Sequence, residues 1–162
     1  MDNDAVVIAH ARALLACGES VAAVPGDMRD PGAILDSPGL RAVIDLDQRS
    51  CVILAMILDF VEPSQAGDIV AAFGRAMARG SFLIVSLGIN NGTPDLADRV
   101  IAGYTAARVH LHSREQVAGY FAGFEIVEPG LTEARYWRPR HAQVDPASRP
   151  ADVIAGVGRK TA

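Results

Sequence analysis

Two carboxylates in this sequence stand where an open α/β sheet does its chemistry. Asp59 follows the longest apolar run, residues 51–58 (CVILAMIL), which reads as a strand buried on both faces. Ligands of such sheets sit at the carboxyl ends of the strands. A carboxylate there can act as a base or hold a nucleophile in place. Asp59 is therefore the candidate catalytic residue, and Phe60 beside it is either core or the wall of a ligand site. Asp27 follows a shorter β-rich stretch, residues 21–24, in the turn Pro25-Gly26-Asp27. On local grounds it is a turn aspartate, with Gly26 permitting close backbone approach. Ser86 falls at the end of a second apolar run, residues 81–87 (SFLIVSL). Asp2 is either solvated or shares with Asp4 the capping of a first helix.

The remaining reactive side chains point away from metal and thiol chemistry. His10, His110, His112 and His141 show no metal-ligand spacing with a second ligand. Cys17 and Cys51 sit in apolar text without a CxxC motif, so neither a disulfide framework nor a zinc site is expected. Arg135, Trp137, Arg138, Arg140 and His141 form a basic-aromatic cluster of the kind that stacks on single-stranded nucleic acid. The net charge of −4 argues against that role, and a structural one is favoured.

The elements that must position these residues alternate short β-rich runs with helical segments, the pattern of an α/β domain with a mostly parallel sheet. Asp4 caps a helix to about residue 16, and residues 21–24 make a short strand. Asp30-Pro31 and Ser37-Pro38 open short helices. A helix over residues 65–79 faces Ile69, Val70, Phe73 and Met77 inward and stops at Gly80. Thr93-Pro94-Asp95 opens another, to about residue 107. Ser113 and Gln116 form a capping box for a helix ending near Gly123. Residues 124–127 form a strand, Tyr136-Trp137 a short edge strand, residues 141–150 a loop and residues 153–157 a terminal strand. With 162 residues, 50% apolar and 21% charged, one domain spanning 1–162 is expected. The eight-residue apolar run is far short of a membrane span, which needs about 20. No basic leader precedes the first helix, so a soluble cytoplasmic protein is expected.

The ordered set of segments resembles a class I S-adenosylmethionine-dependent methyltransferase. More narrowly, it resembles the actinobacterial S-adenosyl methyltransferase family, formerly known only as a domain of unknown function. The residues that carry the match are Asp2-Asn3-Asp4 with VVIAHARALL, Gly26-Asp27-Met28-Arg29-Asp30-Pro31 with AIL, and Ile44-Asp45-Leu46-Asp47. GSFLIVS, GFEIVEPGL, Trp137-Arg138-Pro139 and GVGRK complete it.

The resemblance implies a Rossmann-like sheet in the order 3-2-1-4-5-7-6, incomplete here. Strands 3 to 7 and their helices are present, and strand 1 with its Gly-rich loop and most of strand 2 are missing. It implies S-adenosyl-L-methionine as cofactor and a methyl acceptor that is a small molecule or of unknown class. Asp2 then accepts the ribose hydroxyls, Asp27 accepts the adenine amine, and Met28 and Phe60 line the cofactor site. At Asp59 and Leu87 relatives carry histidine, so the substrate side departs from the family pattern. Without strand 1, strands 3 and 4 either pair directly or stand apart, leaving an open strand edge. That edge offers pairing as a homodimer or with a partner chain, and the alternative to an enzyme is a non-catalytic subunit or remnant.

Overall fold

The computed structural model describes residues 1–15, 18–90, 107–139 and 153–161. Five strands form one sheet: β1 (Cys51–Ala55), β2 (Phe82–Gly88), β3 (Phe124–Ile126), β4 (Thr132–Glu133) and β5 (Val153–Lys160). Their order is β1-β2-β5-β3, with β4 also on β5. β1 and β2 run parallel, with Ile53 beside Ile84, and β5 is antiparallel to β2, β3 and β4. This reproduces the 4-5-7-6 part of the order expected above.

Lateral neighbours in a sheet share a face, so the register separates the two sides. Leu54, Val85 and Gly156 lie on one, and Ile53, Ile84 and Val157 on the other. The first side is the core. There α4 (Pro63–Ala76) lays Ala66, Ile69, Val70 and Phe73 against Leu83, Val85, Leu87 and Ile154. Each such aliphatic or aromatic side chain removed from water stabilises by about 1.5–3 kcal/mol. The inward set expected for this helix, Ile69, Val70, Phe73 and Met77, is buried throughout. Phe121 crosses β5 at Gly156 and Gly158, where a Cβ on Gly158 would lie 2.7 Å from Phe121 Cδ1. The other side is poorly covered, and Ile53 is 62% exposed.

The expected strand over residues 51–58 is shorter and less buried than its composition suggests. It ends at Ala55 because Met56 adopts a left-handed φ of 53°. Leu58–Phe60 then forms a 3-10 turn. Within β1 only Leu54 is buried, since the described residues lay no layer over the face that carries Ile53. Residues 21–24 do not form a strand. Asp2 and Pro25 make one isolated parallel bridge, with Gly26 N–H donating to the Asp2 carbonyl at 2.9 Å. Among the described residues Asp2 alone pairs with this stretch, and Asp4 then caps α1 (Ala5–Leu14). Among the described residues β1 has β2 on one edge and no strand on the other.

α1 is capped by Asp4, whose side chain accepts from Val6 N–H at 2.7 Å. α2 (Pro31–Leu35) is capped by Asp30, whereas Ser37 makes no side-chain cap for α3 (Pro38–Arg41). The capping box of Ser113 and Gln116 opens α5 (Arg114–Gly119), which ends before Gly123. Tyr136-Trp137 is not an edge strand. Ala134–Tyr136 forms a 3-10 turn after the two-residue β4, and the terminal strand runs on to Lys160. The helix expected over residues 93–107, the loop over 141–150, and Cys17, Arg140 and His141 lie outside the described residues, Ala107 excepted. No helix among the described residues is long and apolar enough to cross a membrane.

Candidate functional site

The sequence-derived candidates fall into two groups. The first surrounds the Asp2–Pro25 bridge. Asp2 is half-buried, and its Oδ1 accepts the Asp4 N–H at 2.9 Å. The bridge holds Asp2 against the Pro25-Gly26-Asp27 turn. Asp27 accepts the Arg29 backbone N–H at Oδ1 (2.9 Å), Arg29 Nε at both oxygens (2.9 and 3.0 Å) and Nη2 at Oδ2 (2.5 Å). These hydrogen bonds hold the Asp27 carboxyl down at about 2, so it stays ionised. Met28 is partly buried and packs against the main core.

The second group lies at the carboxyl ends of β1 and β2. Asp59 is only 5% exposed. Its Oδ1 accepts the Gly88 N–H at 2.8 Å, and its backbone carbonyl accepts the His110 N–H at 2.7 Å. Oδ2 is buried with no hydrogen-bond partner among the described residues. Burial raises the Asp59 pKa, against the lowering effect of the Gly88 N–H. The carboxylate expected to face a ligand therefore ties the turn after β1 to the end of β2. Phe60 is half-buried in the same turn, and Ser86 is half-buried within β2.

Sequence reasoning passed over the polar cluster beneath this turn. His112 is fully buried, and its Nε2 lies 3.1 Å from the Leu58 carbonyl. A carbonyl only accepts, so Nε2 carries a proton. Nδ1 lies 2.6 Å from the Tyr120 hydroxyl, which also points at the Pro63 carbonyl at 3.2 Å. A neutral ring protonated at Nε2 can only accept at Nδ1, so the single Tyr120 proton is shared between Nδ1 and the Pro63 carbonyl as alternative acceptors, the shorter contact being to Nδ1. Burial lowers the His112 pKa, consistent with that neutral form, and pushes the Tyr120 phenol up to about 12. Beside them His110 Nδ1 stands 3.4 Å from Glu62 Oε2. One ring so joins the 3-10 turn, the start of α4 and α5. The sequence carried one hint: His112 directly precedes the Ser113 cap, which fixes its backbone but says nothing of what the ring meets.

The basic-aromatic cluster is largely tied to itself. Arg135 pairs with Glu133 at 2.7 Å and lies over the Tyr136 ring, Arg138 lies over Trp137, and Trp137 Nε1–H donates to the Gly130 carbonyl. An open pocket of about 420 Å³ near Pro25 is lined by Val24, Pro25 and Gly39 among others. Its one charged side chain, Arg12, donates to the Ala23 carbonyl. It includes none of the candidate aspartates.

A family model described as S-adenosyl methyltransferase matches residues 1–161. The chain belongs to the S-adenosyl methyltransferase family. A provisionally named methyltransferase from Thermobifida fusca is 32% identical over 99% of this chain, with a TM-score of 0.87. A DUF574 family protein from Streptomyces avermitilis is 32% identical over 98% of this chain, with a TM-score of 0.86. This chain spans 62% and 63% of the length of those two proteins. Magnesium protoporphyrin IX methyltransferase from Synechocystis, solved with S-adenosylhomocysteine, shares the fold at 14% identity over 94% of this chain and 57% of its own, with a TM-score of 0.55. No curated protein matches. The sheet is thus the β1-β2-β5-β3 part of a Rossmann-like methyltransferase fold, and S-adenosylmethionine is the cofactor of the S-adenosyl methyltransferase family.

Proposed function

We propose that residues 1–162 form a single domain that holds the nucleoside of S-adenosylmethionine and serves methyl transfer to a small-molecule acceptor. The observation that supports this most directly is the Asp2–Pro25 bridge, which sets two aspartates side by side on adjoining backbone segments. Asp2 fits a ribose diol, since only Oδ1 is engaged and Oδ2 is left to accept. Asp27 fits an adenine amine once Arg29 gives up one of its contacts. Met28 and Phe60, both half-buried, are the apolar walls in this reading.

When bound, the cofactor would supply an electrophilic sulfonium methyl for in-line transfer to the acceptor's nucleophile, with S-adenosylhomocysteine as the product that leaves. Charge is neutralised in that step, so alignment and exclusion of water matter more than proton transfer. Asp59 is the candidate beside the reacting centre. Its unpartnered Oδ2 is a buried acceptor that a nucleophile's proton can satisfy. Isothermal titration with S-adenosylhomocysteine tests the reading. One-site binding is expected, weakened about tenfold by Asp27→Ala, the loss of one charge-assisted contact. Arg29→Ala is expected to tighten it. Affinity unchanged by both variants removes Asp27 from the site.

A second reading rests on β1. Its outer edge carries no strand among the described residues, and Ile53 is 62% exposed. An open apolar edge of this kind is a template for another strand. In this reading the chain is a subunit that pairs there, with a second copy or with a partner chain. A folded, strictly monomeric chain that binds S-adenosylhomocysteine with one-site stoichiometry rejects it.

A further inference from the structure

At the end of the sheet away from Asp59, cationic side chains converge on a small pocket. β2 begins and β5 ends there, with Phe82 opposite Arg159. Gly80 N–H donates to the Lys160 carbonyl at 3.0 Å, and Lys160 N–H donates to the Ser81 carbonyl at 2.8 Å. The corner encloses about 160 Å³, lined by Arg79, Gly80, Arg159, Lys160 and Thr161. Arg49 lies alongside, since a Cβ on Gly80 would stand 3.2 Å from its Cδ.

Two of the four cations have local partners. The Lys160 ammonium donates to the Met77 carbonyl, just past the end of α4, and Arg159 pairs with Glu125 at 2.7 Å. Arg49 and Arg79 pair with no carboxylate among the described residues. Four positive charges therefore share one paired carboxylate, in a chain whose net charge is −4. Like charges gathered in this way repel, and an oxyanion among them relieves the repulsion. Two uncommitted guanidinium forks match the oxygens of a phosphate, and the space suits one phosphate group and its waters better than a whole nucleotide.

We propose that this corner binds the phosphate of a small phosphate monoester, at a site separate from the candidate nucleoside site. The probe is methyl phosphate, titrated into the ¹⁵N-labelled chain at constant ionic strength, with inorganic phosphate and chloride in parallel. Saturable shifts are expected at the Gly80, Ser81 and Thr161 amides, at concentrations at least tenfold below any effect of chloride. The double variant Arg49→Ala with Arg79→Ala should weaken binding at least tenfold, and Arg41→Ala, whose arginine pairs with Asp36 elsewhere, should not. Glu125→Gln removes the competing carboxylate and should tighten binding. Shifts that rise without saturation, that match those of chloride, or that persist in the double variant overturn the proposal. Saturation by inorganic phosphate but not by methyl phosphate overturns the monoester.

Discussion

α1 and α4 are both alanine-rich helices with apolar residues at helical spacing, yet α4 buries five residues and α1 buries Ile8 alone. Their ends reverse the order. α1 has a side-chain cap from Asp4, while Glu62 ahead of α4 makes none. α4 is therefore held by the core, and α1 by its local chemistry plus a thin contact. Val6, Val7, Leu14 and Leu15 remain exposed on and just beyond α1, as does Ile53 on the sheet. The difference teaches that similar apolar patterns yield a helix in both places, but burial only where a second layer exists.

The largest effect that sharpens this contrast is expected from Phe73→Ala on α4. It opens a cavity in the core and should cost about 3–5 kcal/mol in urea unfolding. Leu14→Ala on α1, 71% exposed before truncation, should change stability by less than about 0.5 kcal/mol. Comparable losses at the two sites would break the comparison.

Next in size is the buried cluster. His112→Ala removes two buried hydrogen bonds, at about 0.5–1.5 kcal/mol each, while the Leu58 carbonyl keeps the Val61 N–H and the Tyr120 hydroxyl keeps the Pro63 carbonyl. Its pH dependence has a definite sign. The folded pKa of His112 is lowered, so the unfolded chain takes up a proton that the folded chain refuses. His112 stabilisation is complete above about 6.5 and is lost as pH falls below it. Asp59 acts in the opposite sense. Its raised pKa gives a contribution complete below about 3.8 and lost as pH rises through the folded value. Urea midpoints between pH 4 and 8 read both slopes. His112→Asn should flatten the loss as pH falls below 6.5, and Asp59→Asn the loss as pH rises above 3.8. An unaltered profile in His112→Asn would assign that slope to another group.

Asp4→Ala comes third. It removes the Val6 N–H acceptor and should cost about 1 kcal/mol, seen first as faster amide exchange at Val6 and its neighbours. Exchange in α4 should be unaffected. A matching acceleration there would mean that the two helices unfold as one unit.

How much of this was legible in the sequence follows the same division. The inward face of α4, the Ser113 capping box and the strand order were readable because periodicity, capping chemistry and the ordered family segments report local or shared features. The end of β1 was not, because it depends on the left-handed Met56 rather than on the apolar text of residues 51–58. Residues 21–24 have strand composition but lack a ladder, since pairing belongs to the partner. Asp2, Asp27 and Asp59 stood out as candidates in the sequence, but the groups they contact did not. Arg29 on Asp27, Gly88 on Asp59 and the ring of His112 under Leu58 are contacts that no spacing encodes.

The smallest expected effect bears on what the exposed surface is for. Ile53→Lys replaces an apolar side chain that already faces water, so a dilute monomer should lose less than about 0.5 kcal/mol. If another copy covers this face of β1, the same change desolvates a charge at the contact, and association should weaken by far more than folding does. Sedimentation across protein concentration separates the two. A wild-type chain that associates and an Ile53→Lys chain that does not would mean that the uncovered face of β1 is covered in the assembly. Identical sedimentation, with both chains monomeric and equally stable, would mean that Ile53 stays in water and that α4 and α5 hold the core on the opposite face without it.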